Sequence, residues 1–176
     1  MKESEEIIDN IEDGFEDEDT LENRYLTFRV NNEHYALEIR HVTEILGVQK
    51  ITRVPNTRDF IIGIMNLRGI IYPVLDVRRR FGIPTIEWND RTCIVVIQVD
   101  NVGLGLLVDE VSEVVTMPPE TISEAPSTNK GAQSKFIAGI GKLGDALIIL
   151  LDIYRLLWDD FERRDVDPLT NPAAKL

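Results

Sequence analysis

Few side chains in this sequence could do chemistry. Two histidines, His34 and His41, and one cysteine, Cys93, occur among 176 residues. That inventory excludes a disulfide framework and zinc sites built on cysteine pairs, and it leaves little room for histidine-based metal or acid–base chemistry. Cys93 opens the apolar run Cys93-Ile94-Val95-Val96-Ile97, where a thiol is an inert core side chain rather than a nucleophile. No serine stands in G-x-S-x-G, and no phosphate loop of the G-x-x-x-x-G-K-[ST] type occurs. One G-x-G-x-x-G does, at Gly139-Ile140-Gly141-Lys142-Leu143-Gly144. Asp145 and a further apolar run follow it, where a dinucleotide site would begin its phosphate-binding helix. Those glycines, like Gly103 and Gly105, read as backbone crowding and hairpin turns. No catalytic residue, metal or cofactor is expected, and the chain is not read as an enzyme.

Charged side chains offer more. Arg78-Arg79-Arg80 could form an anion site, but three adjacent residues on a helical turn point in different directions. They read as a solvated face with one salt bridge. Arg68, beside Gly69 in an otherwise apolar hairpin, is either a turn-tip charge or the partner of a carboxylate, and Glu44 is the candidate. A planar guanidinium in apolar surroundings suits the rim of a protein–protein contact.

The elements that position these residues come from a repeat. Tyr25–Val30, Tyr35–Ile39 and Val42–Ile45 recur 69 positions later as Ile94–Val99, Leu104–Val108 and Val111–Val114. Phe60–Ile64, Leu67 and Leu75-Asp76 recur 76 positions later as Phe136–Ile140, Leu143 and Leu151-Asp152. The longer offset places extra residues in Met117–Lys135, rich in Pro, Ser, Thr and Glu. The repeat spells hairpins: Tyr25–Val30 onward around Asn31-Asn32, Cys93–Val99 with Val102–Val108, Ile61–Leu67 with Gly69–Leu75, and Ile137–Leu143 with Ala146–Leu151. Asp76 and Asp152 read as N-caps of a short helix, Val77–Phe81, and a longer one, Ile153–Arg164. The expected fold is mainly β, two five-stranded small closed barrels from an internal duplication, with a C-terminal α-helix. Small barrels are marginal alone, so two should pack together and leave an apolar groove at the seam.

The net charge of −12 is uneven. Met1–Arg24 carries eleven acidic and two basic residues, a balance of −9, which leaves −3 for the rest. Residues 1–24 are therefore expected to be a disordered acidic tail, with a minority reading in which Ile7, Ile8 and Ile11 dock as an amphipathic turn. The folded body is expected over 25–165, as intertwined subdomains of about 25–91 and 92–151 plus a helix over 153–164, before a flexible tail at 166–176. An acidic chain is a poor phosphate-backbone binder, so nucleic acid is not an expected partner. No apolar run approaches a membrane span and no secretory signal opens the chain, so a cytoplasmic protein without direct membrane insertion is expected.

The segment from Phe60 to Arg78, Phe-Ile-Ile-Gly-Ile-Met-Asn-Leu-Arg-Gly-Ile-Ile-Tyr-Pro-Val-Leu-Asp-Val-Arg, closely resembles the signature of the CheW family of bacterial chemotaxis adaptors. Val108–Val114 and Ile148–Asp152 continue the likeness, which spans about Tyr25 to Trp158. The resemblance implies two SH3-like five-stranded barrels and no catalysis. It implies an adaptor that couples the cytoplasmic tip of methyl-accepting chemotaxis receptors to the regulatory domain of a CheA-type histidine kinase, recruited to receptor arrays at the membrane. It also implies receptor-binding roles for Ile39, Val42, Glu44, Arg68, Val111 and Val114, and groove-shaping roles for Gly63, Cys93 and Gly105. No residue is matched to the kinase contact. A chain of this length is expected to lack a fused receiver domain. The alternative reading is a small-barrel peptide- or nucleic-acid-binding module unrelated to chemotaxis.

Overall fold

The computed structural model describes residues 21–126 and 132–158. The expectations for residues 1–20, for the helix beyond Trp158 and for the 166–176 tail lie outside these. Among the described residues, eleven strands form two sheets. They are β1 (Arg24–Val30), β2 (Glu33–Glu38), β3 (Val42–Gly47), β4 (Ile61–Leu67), β5 (Ile70–Asp76), β6 (Cys93–Val99), β7 (Val102–Val108), β8 (Glu110–Thr116), β9 (Ile122–Ser123), β10 (Ile137–Leu143) and β11 (Ala146–Leu151). Two helices follow equivalent strands, α1 (Val77–Arg80) after β5 and α2 (Ile153–Trp158) after β11. The body begins before Tyr25: Leu21 packs against the core, and Asn23 O accepts from Met117 N at 2.8 Å.

One sheet has the order β8-β1-β2-β11-β10-β9 and the other β3-β6-β7-β5-β4. The offsets of the repeat map each onto the other, with β3, β6, β7, β5 and β4 matching β8, β1, β2, β11 and β10. The sixth strand, β9, has as its counterpart the single bridge Thr52↔Ile64. Both sheets carry the same parallel pairing, β5 with β7 and β11 with β2. Neither sheet is contiguous in sequence. The hairpin β1–β2 from the first half sits between β8 and β11 of the second, while β6–β7 from the second sits between β3 and β5 of the first. The halves at about 25–91 and 92–151 thus mark the repeat, and each lends its first hairpin to the other's sheet. The architecture is mainly β and SH3-like, but neither strand order closes into a hydrogen-bonded ring, contrary to the expected closed barrels.

Local sequence accounts for the turns. Asp100 and Asn101 both take positive φ, as do Arg68 and Gly69, which gives mirror-image two-residue turns that match strand twist. Asp76 caps α1 by accepting from Arg78 N at 2.9 Å, and Asp152 caps α2 by accepting from Arg155 N at 3.0 Å. Gly63 and its counterpart Gly139 stand where a Cβ would lie 2.4 Å from Thr52 O and 2.9 Å from Ser123 O. Glycine therefore lets the sixth-strand residue approach in both copies.

One large core fills the space between the sheets. It joins Leu26, Phe28 and Leu37 of the first sheet to Val95, Ile97 and Leu104 of the second, and Leu156 and Leu157 of α2 to both. A line of rings crosses the seam, with Phe28–Tyr35 at 6.0 Å, Tyr35–Phe81 at 5.1 Å and Phe81–Phe136 at 5.9 Å between centroids.

Candidate functional site

Arg68 and Glu44 meet. The guanidinium donates through Nη1 to Glu44 Oε1 at 3.0 Å and through Nη2 to Oε2 at 2.5 Å, a two-pronged pair. Glu44 is aimed by a bulge: the register of β3 on β6 shifts between Val42 and Glu44, and the Thr43 hydroxyl donates to Val96 O at 3.2 Å. Arg68 sits on the tip of the β4–β5 hairpin at φ 51, where the Asn66 side chain accepts from Gly69 N at 2.9 Å. β3 and β4 are opposite edges of their sheet, so the pair closes at its rim a barrel that the ladder leaves open. Glu44 raises the Arg68 pKa further above its ordinary value. The pair exists in one barrel only, because the equivalent positions are Glu113 and Gly144.

The other sequence-derived residues gather around the places where the chain crosses between sheets. Ile39 lies in the 3-10 turn that carries β2 into β3, and Val42 opens β3. Both are core side chains, 2% and 1% exposed, so they shape the surface from beneath. Val111 is the counterpart of Val42 and Val114 that of Ile45. They lie on β8 opposite Phe28 and Leu26, half-buried against the main core. The seam interior is filled by that core rather than open as a deep apolar groove, which leaves a shallow strip where half-buried apolar groups meet solvent. Gly105 faces Ile94 and Met65 inside the barrel of the β3-β6-β7-β5-β4 sheet, whereas Cys93 belongs to the large core between the sheets. A Cβ on Gly105 would lie 2.6 Å from Ile94 Cγ2, and the Cys93 thiol donates to Arg91 O at 3.0 Å. Among the described residues no group of His, Cys, Asp or Glu could hold a metal ion.

Residues 24–160 match a family model described as a CheW-like domain. The chain is 36% identical over 139 residues to the chemotaxis protein CheW of Klebsiella aerogenes, covering 79% of this chain and 84% of that one. It is 34% identical over 134 residues to CheW of Bacillus subtilis, covering 76% and 86%. The chain belongs to the CheW family. Its fold matches the crystal structure of the scaffolding protein TtCheW from Thermoanaerobacter tengcongensis with a TM-score of 0.73 and 31% identity, over 85% of this chain and 97% of that one. This CheW-like chain is therefore a non-enzymatic chemotaxis coupling adaptor. No described helix is long and apolar enough to cross a membrane.

Three features of the CheW-like body escape sequence reasoning. The arginines of α1 are not a solvated face, since Arg78 and Arg80 are buried. Arg78 donates through Nε and Nη2 to Asp109 at 2.8 and 2.6 Å, and through Nη1 to Pro84 O at 2.8 Å. Asp109 Oδ2 also accepts from Asn31 N at 2.7 Å, so one carboxylate ties the β1–β2 turn to α1 across the sheets. Arg80 lies over both Phe60 and its counterpart Phe136, 4.3 and 4.7 Å from the ring centroids. Its Nε donates to Leu156 O at 2.7 Å. The third is a concavity beside α1, lined in part by three further guanidinium groups.

Proposed function

We propose that this adaptor holds the cytoplasmic tip of methyl-accepting chemotaxis receptors at the Glu44–Arg68 rim and the adjoining seam. At a barrel end it holds the regulatory domain of a CheA-type kinase, which recruits it to receptor arrays at the membrane. The observation that carries the reading is the bidentate pair, present in one barrel and missing from its duplicate. Val111 and Val114 supply half-buried apolar surface at the seam, beneath which lie Ile39 and Val42. The β4–β5 tip also exposes Ile70 and Ile71, and the equivalent β10–β11 tip exposes Leu143 and Leu147. Positions 71 and 147 are repeat counterparts, so each barrel ends in an unpaired aliphatic side chain, which suits contact with a similar barrel.

The test is co-sedimentation with receptor-bearing vesicles, alongside titration with a purified kinase regulatory domain. Arg68→Glu faces Glu44 with a like charge on an exposed side chain. It is expected to lose receptor retention while remaining folded and kinase-competent. Ile71→Asp is expected to lose kinase-domain binding and keep receptor. Retention of both partners by both variants refutes the assignment.

A further inference from the structure

The barrel of the β3-β6-β7-β5-β4 sheet has a small core of its own, made of Met65, Val74, Ile94, Val96 and Leu107. Side chains alternate along a strand, so Tyr72 shares the inward face of β5 with Val74, and the half-buried Tyr72 ring packs against that core. β5 runs parallel to β7 with Val74 beside Gly105. Two residues earlier in each strand, the ring lies on Gly103. A Cβ there would stand 2.9 Å from Tyr72 Cε1, 3.2 Å from Cδ1 and 3.0 Å from Gln98 Oε1. Carbon atoms do not approach so closely without repulsion, so a methyl at 103 must displace the ring from its seat.

The same mouth carries the Arg68–Glu44 pair. The bulge at Thr43 sets Glu44 opposite Val96, a member of the small core. Arg68 keeps its charge chiefly through its hydrogen bonds to Glu44, and the Tyr72 phenol adds to this in the same direction, within electrostatic reach of the guanidinium. A long side chain that is 72% exposed loses much rotamer freedom when it is held in one two-pronged geometry. A ring fixed beneath it limits the freedom there is to lose. In the duplicate barrel the positions equivalent to Tyr72, Gly103 and Arg68 hold Ile148, His34 and Gly144. Ring, glycine seat and guanidinium thus occur together in one copy and are replaced together in the other.

We infer that Tyr72, seated on Gly103, is a positioning residue of the coupling surface: its ring floors the barrel mouth and holds the Arg68–Glu44 pair in the geometry that meets the receptor. The inference rests on the reading of that rim as the receptor contact, and it adds two residues that act through Arg68.

The test reads the free full-length chain and its complex separately. In the free chain the Arg68 Nε–Hε cross-peak, assigned by its loss in Arg68→Lys, reports the pair by proton–nitrogen NMR. Glu44→Gln gives the position of that cross-peak without the ion pair. Tyr72→Leu and Gly103→Ala are each expected to move it toward the Glu44→Gln position. Each should also weaken co-sedimentation with receptor-bearing vesicles by about tenfold, the scale of coupling between side chains in contact. The double variant should fall no further than Tyr72→Leu alone, because Gly103 acts through the ring. Tyr72→Phe, which keeps the ring on its seat, should restore retention. The inference is overturned if Tyr72→Leu leaves the cross-peak where the unaltered chain has it, or if the effects of the two substitutions add. Arg68→Ala in the same assay separates the two readings. Full retention by Arg68→Ala sinks the receptor assignment itself, and the cross-peak then decides the positioning role alone. Loss by Arg68→Ala beside full retention by Tyr72→Leu overturns only the positioning role.

Discussion

Arg68 occupies left-handed backbone that asparagine or glycine would take with less strain, and a two-residue hairpin turn prefers those residues for that reason. Its side chain is 72% exposed while Glu44 is only 22% exposed, so the pair works at the surface, where ion pairs add little to stability. Arg68→Asn is therefore expected to leave the melting temperature unchanged or raise it, while receptor retention is lost. A clear fall in melting temperature would make the pair a structural clasp instead. Sequence made Glu44–Arg68 a candidate, but the bulge at Thr43 that aims the carboxylate has no local sequence signal. His41 beside it titrates differently. Burial lowers its pKa, opposed by Glu38 and aided by Arg40. The ring stands edge-on to Tyr154 at 6.2 Å. Below its ordinary value of 6.5 the unfolded chain takes up the proton before the folded chain does. Stability from this group is therefore complete above that pH and declines as pH falls toward the lowered folded value. Urea unfolding between about pH 7.5 and 5.5 should show this decline, and His41→Gln should flatten it.

At the scale of elements, α1 and α2 are held across the seam by one side chain. Arg80 places its guanidinium over Phe60 and Phe136 and donates to a carbonyl in the last turn of the described α2. A cation there also complements the carbonyl end of the helix. Replacing Arg80 with Met keeps bulk but strands Leu156 O and removes the cation from both rings. The expected loss is about 2–4 kcal/mol in urea unfolding, the range for breaking a buried charge-assisted contact. Arg79→Met, one residue away and exposed, should stay within about 0.5 kcal/mol. The strands of the paired hairpins and both Asp caps were legible in the sequence, because hydrophobic runs, turn residues and N-cap chemistry are local signals. The Arg triplet was misread because the partners of Arg78 and Arg80 lie 31 and 76 residues away. No periodicity reports such partners. β8 was likewise legible only as the copy of Val42–Ile45, since its burial alternates weakly between the core and the exposed seam.

The whole molecule is a duplication whose halves exchange hairpins. The sequence shows the repeat and supports intertwined subdomains, but not which hairpins cross, because nothing local says which copy of β5 or β11 a hairpin will join. The parallel pairs β7–β5 and β2–β11 decide it, one within each composite sheet. Neither half can then complete a core alone. Without residues 92 onward, Leu26, Phe28, Val30, Tyr35 and Leu37 lose the sheet they insert into. At about 1.5–3 kcal/mol for each large side chain left exposed, the deficit matches or exceeds the usual net stability of about 5–15 kcal/mol. Fragments 1–91 and 92–176 are therefore expected to be separately unfolded, with coil-like circular dichroism and collapsed amide dispersion. Mixing them should restore a native-like spectrum in a one-to-one complex, because the connection between α1 and β6 contributes only loop-closure entropy, which varies slowly with length. A monomeric half that melts cooperatively by itself would show that each repeat closes its own barrel in solution, and the composite sheets would then not be what holds the adaptor together.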